Sequence, residues 1–219
     1  MQFDDCEELV ELVKSTRSRY ILGAGLNDEK PAHRAVHDLA ERGWNPIPVH
    51  PRDAGGSIGG FPIRPDTQDR TNLGVVVLFL APSRSREVVK KMLIANAHPP
   101  TLIWFQIGAE DDMALSWLEE AGWDYVQEDC IVRFAQRRDL NIANNPLPWF
   151  KQIQDEDQSG CSVWCVHEFG EDSDKGTAEL EWIGDLSDLE ESSKAVPTYI
   201  RSLKLESESL EQCARRLAK

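Results

Sequence analysis

Apolar residues along this chain fall into two kinds of run. Leu9, Val10, Leu12 and Val13 stand among acids at helical spacing, which predicts a short amphipathic helix over residues 7–15. Tyr20-Ile21-Leu22 is a continuous apolar run that stops at Gly23-Ala24-Gly25, the pattern of a buried strand closed by a glycine turn. Asn27 or Asp28 is placed to cap a helix with Pro31 in its first turn. Ala32, Ala35, Val36, Leu39 and Ala40 form its apolar side, and Gly43 ends it. Pro46-Ile47-Pro48-Val49 predicts a second short strand, followed by a loop over 50–65 rich in Gly and Pro. An apolar strand over 75–80, a helix from Ser83 to about residue 96, a strand over 101–105, a helix over 110–121 and a strand over 123–126 complete the series.

Continuously apolar strands alternating with helices predict an α/β fold whose parallel sheet is covered on both faces. With right-handed crossovers this is a Rossmann-like doubly wound sheet of about five strands. The character changes after Leu140. Residues 141–148 read as a linker, residues 161–169 and 177–183 as two strands pairing around 170–176, and residues 205–217 as a helix through Leu210, Cys213 and Leu217. The expected organisation is therefore a domain over 1–140 and a small C-terminal α+β appendage over 141–219. A chain ending near residue 140 keeps every strand of the predicted parallel sheet.

Charge sharpens that division. The formal net charge of the 219 residues is −14. Residues 1–140 carry −6 and the shorter segment 141–219 carries −8. Such a balance argues against a nucleic-acid groove or an anionic membrane as partner, since both need basic patches. The acidic appendage is instead a candidate surface for a protein partner. The longest apolar run, residues 75–82, is far shorter than the roughly 20 residues that cross a bilayer. The acidic start, Met1-Gln2-Phe3-Asp4-Asp5, is unlike a secretory leader. The five cysteines, Cys6, Cys130, Cys161, Cys165 and Cys213, are odd in number and irregularly spaced. They suggest no disulfide framework, and a reducing cytoplasm is the expected compartment.

Ligands of doubly wound sheets bind beyond the carboxyl ends of the strands. That edge is expected to be lined by residues 23–30, 50–60, 81–83, 106–108 and 128–130. Gly23, Ala24 and Gly25 let backbone approach a phosphate, and the helix start after them adds free N–H groups. The bland alternative is a glycine that merely ends a buried strand. Lys30 and Arg34 are within reach of a phosphate from the first helical turn, or are surface charge. A dinucleotide fingerprint would place a third glycine where Asp28 stands, and an acid where the second strand ends in His50-Pro51-Arg52. This disfavours NAD. It leaves open NADP or a nucleotide with a ribose phosphate, such as coenzyme A.

Gly23-Ala24-Gly25, Lys30-Pro31, Pro48-Val49-His50-Pro51-Arg52, Gly60-Phe61-Pro62, Trp104-Phe105-Gln106-Ile107-Gly108 and Cys130 follow one another in a familiar order. In these residues the chain resembles the stand-alone CoA-binding domain family over about residues 18–135. That family is related to the amino-terminal domain of the succinyl-CoA synthetase α-subunit. The resemblance implies a Rossmann-like fold with CoA or an acyl-CoA across the strand ends. It implies the pyrophosphate at the first glycine loop, the 3′-phosphate near Arg52, and the pantetheine arm facing Gln106, Ile107 and Gly108. The stretch 77–82, ending in Ala81-Pro82, is closer to the synthetase than to the small proteins. Gly74 and Val77 stand where the small proteins carry acids, so any role of those acids is lost here.

Other constellations weigh less. His33 and His37 lie four apart on one helix face, but with no third ligand nearby in sequence a surface or phosphate-facing role for His33 is expected over a metal pair. Cys161, Cys165 and His167 share a strand face with Val163, which reads as an inward core face rather than a zinc site. Cys130 reads as a structural thiol. No Ser/His/Asp arrangement is present. The ligase reaction of the synthetase also needs a phosphate-carrying histidine, and the C-terminal segment offers His167 alone, outside any glycine-rich turn. The expected function is non-catalytic binding of CoA or an acyl-CoA, with no metal. Two alternatives stand beside it: an NADP-linked oxidoreductase, for which His50 and His98 are the candidate proton donors, and an interaction scaffold with a vestigial cleft.

Overall fold

The structure, a computed structural model, describes residues 2–67, 73–95, 99–143, 146–155, 161–170 and 172–218. In chain order the elements begin with α1 (Glu7–Ser15), β1 (Arg19–Leu22), α2 (Pro31–Ala40), β2 (Pro46–Val49), β3 (Ser57–Ile58) and β4 (Phe61–Pro62). They continue with β5 (Val75–Leu78), α3 (Pro82–Ala95), β6 (Leu102–Phe105), α4 (Asp112–Ala121), β7 (Tyr125–Val126) and α5 (Ile131–Arg137). The last are β8 (Trp149–Gln154), β9 (Ser162–His167), β10 (Leu180–Asp185), α6 (Leu186–Glu191), α7 (Ala195–Ser202) and α8 (Leu210–Leu217). The chain divides into two compact units, Met1–Pro48 with Thr71–Asn145, and Val49–Arg70 with Pro146–Lys219.

The first unit carries the five-stranded sheet in the order β2-β1-β5-β6-β7. β1 with β5, β5 with β6, and β6 with β7 pair in parallel. Every residue of these strands is buried, which explains their unbroken apolar runs. The α/β Rossmann-like expectation is met. Right-handed crossovers send α2 to one face of the sheet and α3 and α4 to the other. α2 accordingly packs with α5, and α3 with α4. One charge is part of this core. Arg19 opens β1 with its guanidinium 4.6 Å from the centre of the Trp44 ring and donates 2.7 Å to the Val13 carbonyl near the end of α1. Burial pushes its pKa down to about 10.

Local readings need correction at the start of α2 and after β7. Neither Asn27 nor Asp28 caps α2; the N-cap is Lys30, and the Asn27 side chain instead accepts the Glu29 N–H, 3.0 Å away, in a tight turn before the helix. The seven-residue α5 was not expected at all, although Ile131, Phe134 and Ala135 give it a buried i, i+3, i+4 stripe.

The second unit holds a three-stranded antiparallel sheet, β10-β8-β9. β9 and β10 do not pair with each other, as their sequence had suggested; each pairs with β8, which begins at Trp149 where the linker reading stops. Phe150, Trp164 and Trp182 from one sheet face pack with Leu189, Ile200 and Ala214 of α6, α7 and α8. Trp164 and Val166 are therefore the residues that β9 turns to this core. Cys161 is exposed, and Cys165 and His167 on the opposite face are half-buried, so the inward face lies one residue out of step from the expected one.

Residues 49–67 fold with this sheet. Ser57 and Ser173 bond reciprocally, with the Ser57 N–H 2.8 Å from the Ser173 carbonyl and the Ser173 N–H 2.8 Å from the Ser57 Oγ. Arg64 is fully buried and donates through Nε to Asp188 Oδ2 at 2.7 Å and through Nη2 to Asp185 Oδ2 at 2.9 Å. Asp185 and Asp188 also form the capping box that starts α6. Cutting the chain at residue 140 would keep the five strands of the first unit and remove every one of these partners of 49–67.

His167 stacks on Trp149 with ring centroids 3.9 Å apart. Burial, assisted by the nearby Lys151 ammonium, pushes its pKa down to about 4 from an ordinary 6.5. The folded chain therefore resists a proton that the unfolded chain accepts. The stability this neutral ring contributes is whole above pH 6.5 and is lost as pH falls from 6.5 towards 4. Urea midpoints measured across that window should fall with pH, and His167→Phe should flatten part of the fall. Equal pH slopes for the two proteins would contradict this account.

Candidate functional site

The strand order reverses between β1 and β5, and their following helices leave to opposite faces. This is a topological switch point, and doubly wound sheets hold their ligands in the crevice beyond the carboxyl ends of two such strands. Gly23 leaves β1 at φ +100°, and a Cβ there would stand 2.5 Å from the Phe79 carbonyl oxygen. The two strand exits thus pack backbone against backbone, and glycine is demanded at this position with or without a ligand. Ala24 and Gly25 are buried behind it.

The turn is tied down by a histidine pair. His33 Nδ1 lies 2.8 Å from the Gly25 carbonyl, which can only accept, so this nitrogen carries a proton. In the neutral ring Nε2 then accepts, and His37 Nε2, 3.3 Å away, is the donor. These bonds give both rings a positioning role. Among the described residues no group of three potential metal ligands occurs.

Two helices begin at the crevice. α2 starts at Pro31 with Lys30 as N-cap and no side-chain cap. α3 starts at Pro82, one residue before the expected Ser83. The Ala81 carbonyl accepts the N–H groups of Arg84 and Ser85, and the Ala81 side chain has no oxygen with which to cap the helix. Both helix starts present a positive dipole end without a side-chain cap, the ordinary attraction for a phosphate. Lys30 is exposed. Arg34 is turned back onto its own loop, with Nη2 2.6 Å from the Glu29 carbonyl and Nε 3.3 Å from that of Asp28. Sequence reading missed Arg84, an exposed cation in the first turn of α3. A cation there opposes the helix dipole, and that is the signal that points to an anion nearby.

At the end of β6 the three expected residues differ in kind. Gln106 is buried; its Oε1 accepts the Ile131 N–H at 3.0 Å, and its Nε2 lies 3.6 Å from Cys130 Sγ. Its amide thus caps α5, where the N-cap Cys130 has no oxygen to do so. Ile107 is 62% exposed, and Gly108 at φ +84° has open space around it. The Glu110 carboxylate accepts the Gly108 N–H at 2.6 Å and the Glu128 N–H at 3.0 Å, holding the ends of β6 and β7 together.

The first unit thus brings Gly23, Ala24, Gly25, Lys30, Arg34, Ala81, Pro82, Gln106, Ile107 and Gly108 to its strand-end edge. His50, Pro51 and Arg52 fold with the second unit. There His50 Nδ1 stands 3.1 Å from Asp53 Oδ2, and the Arg52 carbonyl accepts from Lys175 Nζ at 3.0 Å. His98 lies outside the described residues.

A family profile described as CoA binding domain matches residues 17–135, more than half of the chain. The chain belongs to that family. The matched segment contains the whole β1–β5 crevice and all five strands of the parallel sheet. Among solved structures, this CoA binding domain protein is similar to a hypothetical protein from Pyrococcus horikoshii OT3 at 26% identity and a TM-score of 0.53, over 62% of this chain and 92% of that one. It is likewise similar to a Thermus thermophilus protein at 25% identity and a TM-score of 0.52, over 62% of this chain and 98% of that one. Among the described residues no helix is long and apolar enough to cross a membrane.

Proposed function

We propose that this protein binds coenzyme A, or an acyl-CoA, at the β1–β5 crevice and performs no chemistry on it. The observation that carries the reading is the pair of helix starts, α2 and α3, without side-chain caps at the reversal of strand order inside the family segment. Their N–H groups and dipoles suit the pyrophosphate, with Lys30 and Arg84 as the nearby cations. Exposed Ile107 offers an apolar surface to a pantetheine arm. Two titratable side chains at this edge have structural duties: His33 holds Gly25, and Glu110 holds Gly108 and Glu128. Neither stands beside a nucleophile.

Thermal unfolding with CoA, NADP and NAD tests the proposal. A ligand at about 100 times its dissociation constant adds about 2.7 kcal/mol of stability. CoA is expected to raise the midpoint and NAD to leave it unchanged. A shift with NAD or NADP and none with CoA would replace this reading with the oxidoreductase one, and no shift with any of them would leave a scaffold.

A further inference from the structure

Ile94 is 77% exposed, the most exposed large apolar side chain among the described residues. It stands near the end of α3, on one wall of an open groove of about 400 Å³ between α3 and α4. Leu93, Trp117 and Ala121 are the other apolar residues of the groove, and Lys90 and Glu120 are its charges. Apolar surface rimmed by polar groups marks a place where something docks. Where the two helices start, charge is already paired within the chain, with Arg86 Nε 3.7 Å from Asp111 Oδ2. Lys90 and Glu120, towards the helix ends, have no ion-pair partner among the described residues. Both helices cross over between parallel strands, so they run back from the crevice and the groove lies at their far ends.

The charges say what kind of surface docks there. α3 carries Arg84, Arg86, Lys90 and Lys91 against the single acid Glu87. α4 carries Asp112, Glu119 and Glu120 and no cation. The patch is thus basic on one side of the groove and acidic on the other, which makes it complementary to itself. A two-fold axis lying along the groove sets α3 of one copy on α4 of the other. Lys90 then faces the partner's Glu120 twice over, and the bulky Ile94 stands opposite the partner's small Ala121. A two-fold axis across the groove would set α3 on α3, and like charges would oppose it. In general two copies of a chain with net charge −14 repel one another, so a face where opposite charges meet is singled out for association.

We propose that the α3–α4 groove is a self-association face, on which a second copy of this chain docks to form a two-fold dimer. The proposal does not rest on the CoA reading, and a dimer formed there leaves the crevice open. Sedimentation equilibrium of the full-length protein tests it. The wild type should show a concentration-dependent equilibrium between monomer and dimer. Lys90→Glu and Glu120→Lys each set like charges face to face at two symmetry-related places, and each should weaken the dimer at least about tenfold. The two single variants, mixed, should associate with each other, because every contact between positions 90 and 120 is then again of opposite sign. The double variant Lys90→Glu with Glu120→Lys should self-associate like the wild type. Ile94→Asp, which places a charge on the apolar wall, should abolish the dimer. All three side chains are exposed, so unchanged thermal midpoints separate loss of docking from loss of fold. A wild type that stays monomeric at every concentration would overturn the proposal. A dimer indifferent to these substitutions would use another face and would overturn it too, as would mixed single variants that fail to associate.

Discussion

Arg64→Ala is expected to lower the stability of the second unit by about 3–5 kcal/mol, the usual cost of removing one partner from a buried ion pair. The guanidinium and Asp188 are both fully buried, so the truncated protein would keep a carboxylate in the core without its cation. The same substitution removes the donor that Asp185 faces at the start of α6. Urea unfolding followed by tryptophan fluorescence measures the loss, since Trp149, Trp164 and Trp182 all belong to this unit. The double substitution Arg64→Met with Asp188→Leu should regain part of it, because no fully buried charge remains, while the half of the α6 capping box that Asp188 supplies stays lost. A loss below about 1 kcal/mol for Arg64→Ala would mean that water reaches this network freely and the pair is worth no more than a surface one.

On the 3′-phosphate role that the family resemblance implies for Arg52, Arg52→Ala is expected to weaken CoA roughly ten- to a hundredfold, and dephospho-CoA hardly at all. The Arg52 backbone is anchored by Lys175, while its exposed guanidinium makes no contact among the described residues. A charge-assisted hydrogen bond to the 3′-phosphate is worth roughly 1.5–3 kcal/mol, and every 1.4 kcal/mol is tenfold in affinity. Comparing the two ligands separates that contact from general damage to the loop, which would weaken both. Equal losses would move Arg52 to the pyrophosphate or to loop shape. No loss for either would return the search for the phosphate contact to Lys30, Arg34 and Arg84.

The parallel sheet was legible because strands buried on both faces need apolar residues at every position, as in Val75-Val76-Val77-Leu78. The glycine turn was legible for a similar reason: only glycine tolerates the close pass of Gly23 over Phe79. The second unit was harder to read. β9 has apolar or bulky residues on both faces, so its period could not say whether Trp164 or Cys165 turns inward. β8 reads Trp-Phe-Lys-Gln-Ile-Gln, whose polar half hides a central strand. Residues 49–67 looked like a loop because their burial comes from partners more than a hundred residues later, such as Asp188 for Arg64 and Ser173 for Ser57. At the candidate site, the type of Gln106 was readable but its duty was not. Its amide serves α5, a helix too short for periodicity to declare.

The way the chain alternates between its two units matters at the ribosome. Residues 49–67 are made early, yet residues 71–145 must follow before Pro146 and the rest of their unit appear. At about 5–20 residues per second that interval is about 4–15 s. By its end the first unit has all its strands in hand, whereas Ile58, Phe61, Ile63 and the Arg64 cation have nothing yet to bury them. The nascent protein therefore passes through a stage in which a finished sheet trails a sticky, half-made neighbour. That is the stage at which a chaperone, or a second copy on the same message, would find something to bind.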